Sequence, residues 1–354
     1  MTNPNFESIK NLLDTSGLLS KNTIPQKTPI NYDFSGETLL ITGAAGSIGS
    51  GLCNLLFTSN FKRLILVDNA ETPLFYLKNS INLKEKNNVE FILGDIRDKP
   101  QMSYIFETFK PTYIFHTAAY KHVSIVEENP FAAIKTNILA TKLLSKLAIE
   151  HNSKRFIFIS TDKAVNPVGV MGMTKLISEN YLSQLNSNTT QFISARFGNI
   201  FGSNGSVVPL FISQLKNGKD ITITNKNVSR LFIDKTKACR LILELVKLDM
   251  LNYAKVSFEM GAPIRIIDLA KVLISEFETI KKTSAKINIS ELSEGEKLHE
   301  SIISKSEQLI LTSNKNIYYI AENHHKIDLQ ELETINQNTT NYDVKDILKK
   351  LCKT

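Results

Sequence analysis

From residue 38 onward, short apolar runs alternate with segments of helical period. Thr38–Thr42 predicts a strand that runs straight into Gly43-Ala44-Ala45-Gly46-Ser47-Ile48-Gly49. Cys53, Leu55, Leu56 and Phe57 then follow at helical spacing. Apolar runs at Arg63–Val67, Phe91–Leu93, Tyr113–His116, Phe156–Ser160 and Gln191–Arg196 predict five more strands. Four of them end in polar or small residues: Asp68, Gly94-Asp95-Ile96, Thr117-Ala118-Ala119 and Thr161-Asp162-Lys163. Pro130–His151 has a helical period, and a further helix starts near Gly172 and carries Lys175. Strands alternating with helices predict an α/β fold, a Rossmann-type doubly wound parallel sheet.

After Gly198 the pattern breaks up. Gly202, Gly205 and Pro209 mark loops, and short elements continue to the C-terminus. This predicts a smaller C-terminal α/β substrate lobe closing over the carboxyl edge of the sheet. The expected division is a polar lead-in over 1–35, with a short amphipathic helix within Ile9–Leu19. A dinucleotide-binding domain follows over 36–200. Residues 201–354 form the substrate lobe, interleaved with that domain and followed by a C-terminal extension. Asn336–Asn341 reads as a loop, and no internal repeat is present.

Composition narrows the class. Of 354 residues, 42% are hydrophobic and 22% charged, ordinary for a packed globular chain. The formal net charge is +7, but the lysines are scattered, which fits a solvated basic surface or a local diphosphate site better than a nucleic-acid or anionic-membrane surface. Cys53, Cys239 and Cys352 are odd in number and widely spaced, which argues against a disulfide framework and fits a reducing cytoplasm. No pair has metal-ligand spacing, and Cys53 reads as a small buried hydrophobe. The N-terminus lacks the apolar core of a signal peptide, and no apolar run approaches a membrane span.

The Gly43, Gly46, Gly49 spacing fits a strand–turn–helix dinucleotide fingerprint. The first glycine makes the tight turn, the second lets backbone approach a pyrophosphate, and the third lets helix and strand pack closely. Ala45, Ser47 and Ile48 complete the turn, and the helix N-terminus stabilises phosphate charge. Asp68 stands 19 residues past Gly49 at the next strand end, placed to accept from both ribose hydroxyls and to repel a 2′-phosphate. NAD is therefore expected, with NADP as the alternative; a turn aspartate is the plainer reading of Asp68. Asp95 and Ile96 are expected to flank the adenine, and Thr117, Ala118 and Ala119 to line the middle of the dinucleotide.

The segment Ser160-Thr161-Asp162-Lys163-Ala164-Val165-Asn166-Pro167 puts an acid beside a base at a strand's carboxyl end, where open α/β sheets bind ligands. It reads as a loop ion pair or as catalytic machinery. At this point the chain resembles the extended short-chain dehydrogenase/reductases, in particular the polysaccharide-biosynthesis branch of UDP-N-acetylglucosamine 4,6-dehydratases. The segments that carry the resemblance are TGAAGSIGS, HTAAYKHVSIVEENP, ISTDKAVNP, VMGMTKLISE, RFGNIFGSNGSVVPLF, SRLF, MGAPIRIIDLA and GEKLHE, in order from about residue 38 to 300.

The resemblance implies a UDP-sugar substrate, a bound nicotinamide cofactor, no nucleic-acid partner, no metal and a homo-oligomer. It implies Lys163 as the base at C5 of the sugar and Asp162 as the acid at O6, which calls for Lys163 to lose its proton near neutrality, aided by burial or by Lys121 or Lys175. Lys175 would hold the nicotinamide ribose. Most members carry Tyr four residues before that lysine, where this chain has Met171; Thr161 with Lys175, or Asp162, are then candidates for taking the C4 hydroxyl proton. Lys121, His122, Asn199, Ser206, Val207, Arg230 and Glu296 are expected along the nucleotide-sugar cleft, with the Arg230 guanidinium suited to diphosphate. A structural histidine is an equal reading for His122. The branch usually has Arg-Pro before Gly-Glu-Lys, where this chain has Ser293-Glu294. Two other functions remain open: a C4 epimerase or oxidoreductase on the same fold, and a non-catalytic cofactor-binding regulator, which Met171 would permit.

Overall fold

The computed structural model describes residues 4–19, 32–80, 88–185, 189–250, 253–281, 284–321, 326–336 and 338–353. A nine-stranded sheet organises them. Its strands are β1 (Asp33–Thr42), β2 (Asn60–Asp68), β3 (Val89–Leu93), β4 (Tyr113–His116), β5 (Arg155–Ile159), β6 (Gln191–Arg196), β7 (Lys255–Phe258), β8 (Gln308–Leu311) and β9 (Ile317–Ala321). Their order is β8-β9-β7-β6-β5-β4-β1-β2-β3. From β3 to β7 every pairing is parallel, while β9 runs antiparallel to both β7 and β8.

Both faces of the sheet are covered, so its strands are near-continuous apolar runs. Side chains alternate between faces, and neighbours in β1 fall into different cores. Leu39 and Ile41 pack with Leu52, Leu64, Leu66 and Ile242 on one face. Leu40 packs with Ile65, Ile114, Phe156 and Ile177 on the other. The chain reverses its winding between β1 and β4, which opens a crevice at their carboxyl ends.

A third cluster forms the second lobe, with Val208, Phe211, Ile212, Ile264, Leu269 and Leu273. The helix Pro4–Ser16 belongs to it, with Ile9 and Leu13 buried. This helix of the lead-in is therefore part of the cluster, because its apolar residues share one helical face. The boundary at 35 also falls inside β1. Residues 201–354 do more than form a lobe, since β7, β8 and β9 extend the main sheet. Val344, Leu348 and Leu351 of the Asn341–Leu351 helix return to the core beneath it.

The helix read over Pro130–His151 changes pitch. Pro130–Ala133 is α, Ile134–Leu139 is a π-helical turn, and Ala140–Glu150 is α again. The wide turn presents Asn137, whose amide accepts from the Tyr120 N–H at 2.9 Å and donates to the Tyr120 carbonyl and the Thr174 hydroxyl at 3.0 Å each. Single π turns of this kind often mark functional sites. Here it ties the residues after β4 to the Val170–Ser183 helix. No helix among the described residues is long and apolar enough to cross a membrane.

Candidate active site

The crevice at the carboxyl ends of β1, β2 and β4 holds a cavity of about 310 Å³. Gly43, Ala45, Gly46, Asp68, Asp95, Ile96, Thr117, Ala118 and Ala119 all line it, joined by Asn69, Arg97, Tyr120, Thr136 and Asn204. Two glycines have no room for a side chain. Gly43 has φ +67°, and a Cβ there would meet Ala118 backbone at 2.7 Å; a Cβ on Gly49 would sit 2.1 Å from the Gly43 carbonyl oxygen. Gly46 precedes the Ser47–Leu56 helix, whose amino end opens at this turn. Ile48 packs beneath, and the Ser47 hydroxyl accepts from the Asn204 N–H at 3.0 Å.

Asp68 is almost buried, and each of its oxygens already accepts one backbone N–H, from Ala45 and from Ala70, both at 2.9 Å. That fixes the carboxylate at the cavity wall with a lone pair on each oxygen to spare. Asp95 is held by the Arg97 guanidinium, which keeps its carboxyl below the usual range. A backbone cradle at a helix start, plus a fixed carboxylate on the next strand, fits a dinucleotide.

Beyond the cradle lies a line of charges. Asp162 and Lys163 begin a short 3₁₀ turn just after β5. The Lys163 ammonium donates to Asp162 Oδ1 and to Asn199 Oδ1, each at 3.0 Å, and lies 3.9 Å from Glu300. Asp162 is fully buried, and its Oδ2 has no hydrogen-bond partner among the described residues. Thr161 donates to Asp162 Oδ1 at 2.9 Å and accepts the Lys163 N–H at 3.3 Å. Met171 lines a small cleft with Lys163, Gly172, Lys297 and Glu300. The polar partners of Lys163 are thus two carboxylates and an amide, and not the cations Lys121 and Lys175 that the sequence suggested as neighbours.

Lys175 is buried in the Val170–Ser183 helix. It donates to the Ile159 carbonyl at 2.9 Å and sits 4.4 Å from the Phe158 ring centre. Burial pulls its pKa down to about 7, opposed by Glu179. Beside it His116 is fully buried between the hydroxyls of Thr42 at 2.7 Å and Thr141 at 2.9 Å. Thr141 donates its only hydroxyl proton to the Asn137 carbonyl. It must therefore accept from His116 Nε2–H, which leaves Nδ1 to accept from Thr42. Burial, and then Lys175, lower the imidazole pKa to about 3, so it is neutral.

The remaining predicted residues fall into two groups. Lys121 reaches the Asn204 carbonyl at 2.8 Å, and the His122 ring abuts Gly205, so both meet the 202–206 loop where it crosses the crevice. Burial lowers the pKa of Lys121; burial and then Lys121 lower that of His122. Asn199 is on Lys163, and Ser206 and Val207 start the helix that ends this loop. Arg230 and Glu296 bond to backbone groups. Arg230 is buried and donates to the carbonyls of Ser229 and Leu298, and Glu296 accepts the Ser293 N–H at 3.4 Å in its own turn.

Three residues were missed. Glu300 is 3% exposed and paired with Lys297 at 3.1 Å, while Lys297 donates to the Val165 carbonyl at 2.7 Å. Glu127 accepts the Val170 N–H at 2.8 Å and pairs with Lys345 at 3.0 Å, so it caps the helix that carries Met171 and Lys175. Glu300 closes the GEKLHE segment and Glu127 lies in HVSIVEENP, so both sat inside motifs already marked. Only the fold brings them across to residues 163 and 170.

Fold and crevice define a Rossmann-type protein with a site that fits a dinucleotide. The profile of the polysaccharide biosynthesis protein family matches residues 39–322, and the chain belongs to that family. The capsular polysaccharide biosynthesis protein CapD of Staphylococcus aureus is 38% identical over 78% of this chain and 47% of its own length. The chain thus spans about half the length of that relative. A UDP-N-acetylglucosamine 4,6-dehydratase (inverting) of Campylobacter jejuni is 30% identical, covering 86% of this chain and 88% of that protein. A UDP-glucose 4-epimerase of Rickettsia rickettsii is also 30% identical, over 81% and 83%. The crystal structure of Pen from Bacillus thuringiensis superposes with a TM-score of 0.75 at 30% identity, covering 90% of this chain and 98% of that one. The chain is therefore related to nucleotide-sugar dehydratases and epimerases.

Proposed function

We propose that this protein is a nucleotide-sugar 4,6-dehydratase that takes UDP-N-acetylglucosamine, or a close UDP-N-acetylhexosamine, to its 4-keto-6-deoxy form. The observation that carries the proposal is the Asp162–Lys163 pair, 3.0 Å apart at the carboxyl end of β5. A bound nicotinamide dinucleotide, NAD on the evidence of the Asp68 carboxylate, would supply reversible hydride transfer at C4 and C6. Gly43, Gly46 and the Ser47 helix start would hold its diphosphate, and Asp68 its ribose. The chain's own residues then manage protons. Moving one proton between two groups 3.0 Å apart makes Lys163 a free amine and Asp162 a carboxylic acid. That state offers a base for the C5 proton and an acid for the departing C6 oxygen, which leaves as water.

An epimerase has no use for this second acid–base pair, since it breaks and remakes only the C4–H and O4–H bonds. The Rickettsia relative keeps that reading as the alternative. Purified protein incubated with UDP-N-acetylglucosamine in deuterated water separates the two. Dehydration gives a product lighter by one water and labelled at C5. A C4 epimer of unchanged mass would replace this proposal with the alternative, and no turnover of any UDP-sugar would favour a regulator. Lys163→Ala is expected to abolish dehydration and keep dinucleotide binding; a fully active variant removes the assignment.

A further inference from the structure

Residues 295–307 form a strap from the second lobe across the first, fastened at both ends. At one end Gly295 lies against Gly169, where a Cβ on Gly169 would meet Gly295 Cα at 2.8 Å, and the Glu127 carboxylate abuts both glycines. At the other, the buried Arg196 donates to the Ile302 carbonyl at 3.2 Å and pairs with Glu307 at 2.9 Å, while Glu179 holds it from behind at 2.6 Å. The middle of the strap is held between these anchors. It carries Lys297 to the Val165 carbonyl and Glu300 to Lys163.

The result is a row of alternating charges, Lys297–Glu300–Lys163–Asp162. Two members, Glu300 and Asp162, are almost or fully buried, so their fields are little screened.

We infer that Glu300 is a positioning residue for the base, a fixed anion that stabilises the charge Lys163 gains as it takes the C5 proton. The inference rests on the dehydratase reading. In the step concerned the C5–H bond breaks to Lys163 Nζ and its electron pair forms the C5–C6 double bond. The C6–O bond breaks, and the oxygen leaves as water with the proton of Asp162. Lys163 thus goes from neutral to cationic, and the carboxylate 3.9 Å away favours the later state over the earlier. Before the step Lys297 holds Glu300 in place and balances its charge. The Lys163 ammonium, whose protons exchange with solvent, later gives one back to C5, and the proton released from O4 replaces that spent by Asp162, so the cycle closes.

The test uses the full chain with dinucleotide and a UDP-N-acetylhexosamine carrying hydrogen or deuterium at C5. Glu300→Gln keeps size and removes charge. It is expected to lower kcat about 100-fold, the scale of removing one group that stabilises developing charge, with KM nearly unchanged. The C5 deuterium isotope effect on kcat should rise, because C5–H cleavage becomes the slow step. Glu300→Asp, which keeps the charge, is expected to restore much of kcat. Should Glu300→Gln not fold, Glu300→Met serves instead. It also removes the charge beside Lys163, and the isotope effect should again rise.

An unchanged isotope effect in the variant that folds, whether or not kcat and KM move together, overturns the inference and leaves Glu300 as part of the scaffold. If the wild-type chain itself dehydrates no UDP-N-acetylhexosamine, the functional proposal fails instead, and the two failures are told apart.

Discussion

Lys175 places a cation where the fold least favours one, and the cost can be measured. Its ammonium is fully buried, with one carbonyl and one aromatic face as near partners. Burial lowers the pKa from 10.5 to about 7, and Glu179, one helical turn on, only partly opposes this. The unfolded chain therefore binds this proton up to about pH 10.5, whereas the folded chain gives it up near pH 7. Between those values the unfolded state holds more protons, so stability rises with pH across the window. One unit corresponds to about 1.4 kcal/mol, so the 3.5-unit gap between the two values amounts to about 5 kcal/mol against folding below pH 7. Lys175→Met keeps an unbranched stem and removes the charge. In urea unfolding of the dinucleotide-free protein, wild type should gain about 2 to 3 kcal/mol on the variant between pH 7.5 and 9.5. Parallel stability curves for the two proteins over that range would show that Lys175 keeps its proton in the folded chain.

The same accounting applies with a different window to His116. Its folded pKa of about 3 lies below the ordinary 6.5, so its contribution to stability is lost as pH falls from 6.5 toward 3. Nitrogen NMR of the imidazole should show an unchanged neutral Nε2–H tautomer from pH 8 to 4.5; a titration near pH 6 would contradict the Thr42–His116–Thr141 assignment. Gly49→Ala forces a methyl to within 2.1 Å of the Gly43 carbonyl and should abolish measurable dinucleotide binding by calorimetry, with a fold loss of about 1–3 kcal/mol. Arg196→Met takes the shared cation from Glu179 and Glu307 and leaves Lys255, 3.6 Å from Glu179, as the remaining buried cation, and should cost about 3 kcal/mol in urea unfolding.

The parallel sheet from β3 to β6 was legible because each of its strands contains an apolar run too short for a helix and ends in a turn. The glycine turn was legible because only glycine meets its contacts. The departures have physical causes. β7, β8 and β9 lie far along the chain, after the alternating pattern has ended, and no local period tells an added sheet strand from a lobe strand. Ile9 and Leu13 are two apolar residues in a polar segment, and only the partner helix Ile266–Lys281 makes them core. The π turn cannot be read from a helical period that it changes by one residue. Arg230 reads as a phosphate ligand by its chemistry, and only the fold shows that its strand pairs with Ile264–Arg265 and that its Nη1 donates to the carbonyls of Ser229 and Leu298.

Asp162, Lys163 and Glu300 show where such reading stops. The first two are adjacent, so their meeting needs no fold, and the residue types alone suggested acid and base. Glu300 stands 137 positions later on an irregular segment, and it reaches Lys163 only because two unrelated anchors hold that segment down. One is a pair of glycines pressed together beside Glu127, the other a buried arginine between two glutamates. Burying Arg196 between Glu179 and Glu307 carries a desolvation cost that an apolar trio of the same volume would avoid. A charged anchor gives what apolar packing does not, a fixed position for the strap relative to β6 and the Val170–Ser183 helix. The distance between Glu300 and Lys163 is thus set by interactions at Gly295 and Arg196, and neither anchor need touch a ligand to govern the chemistry between them.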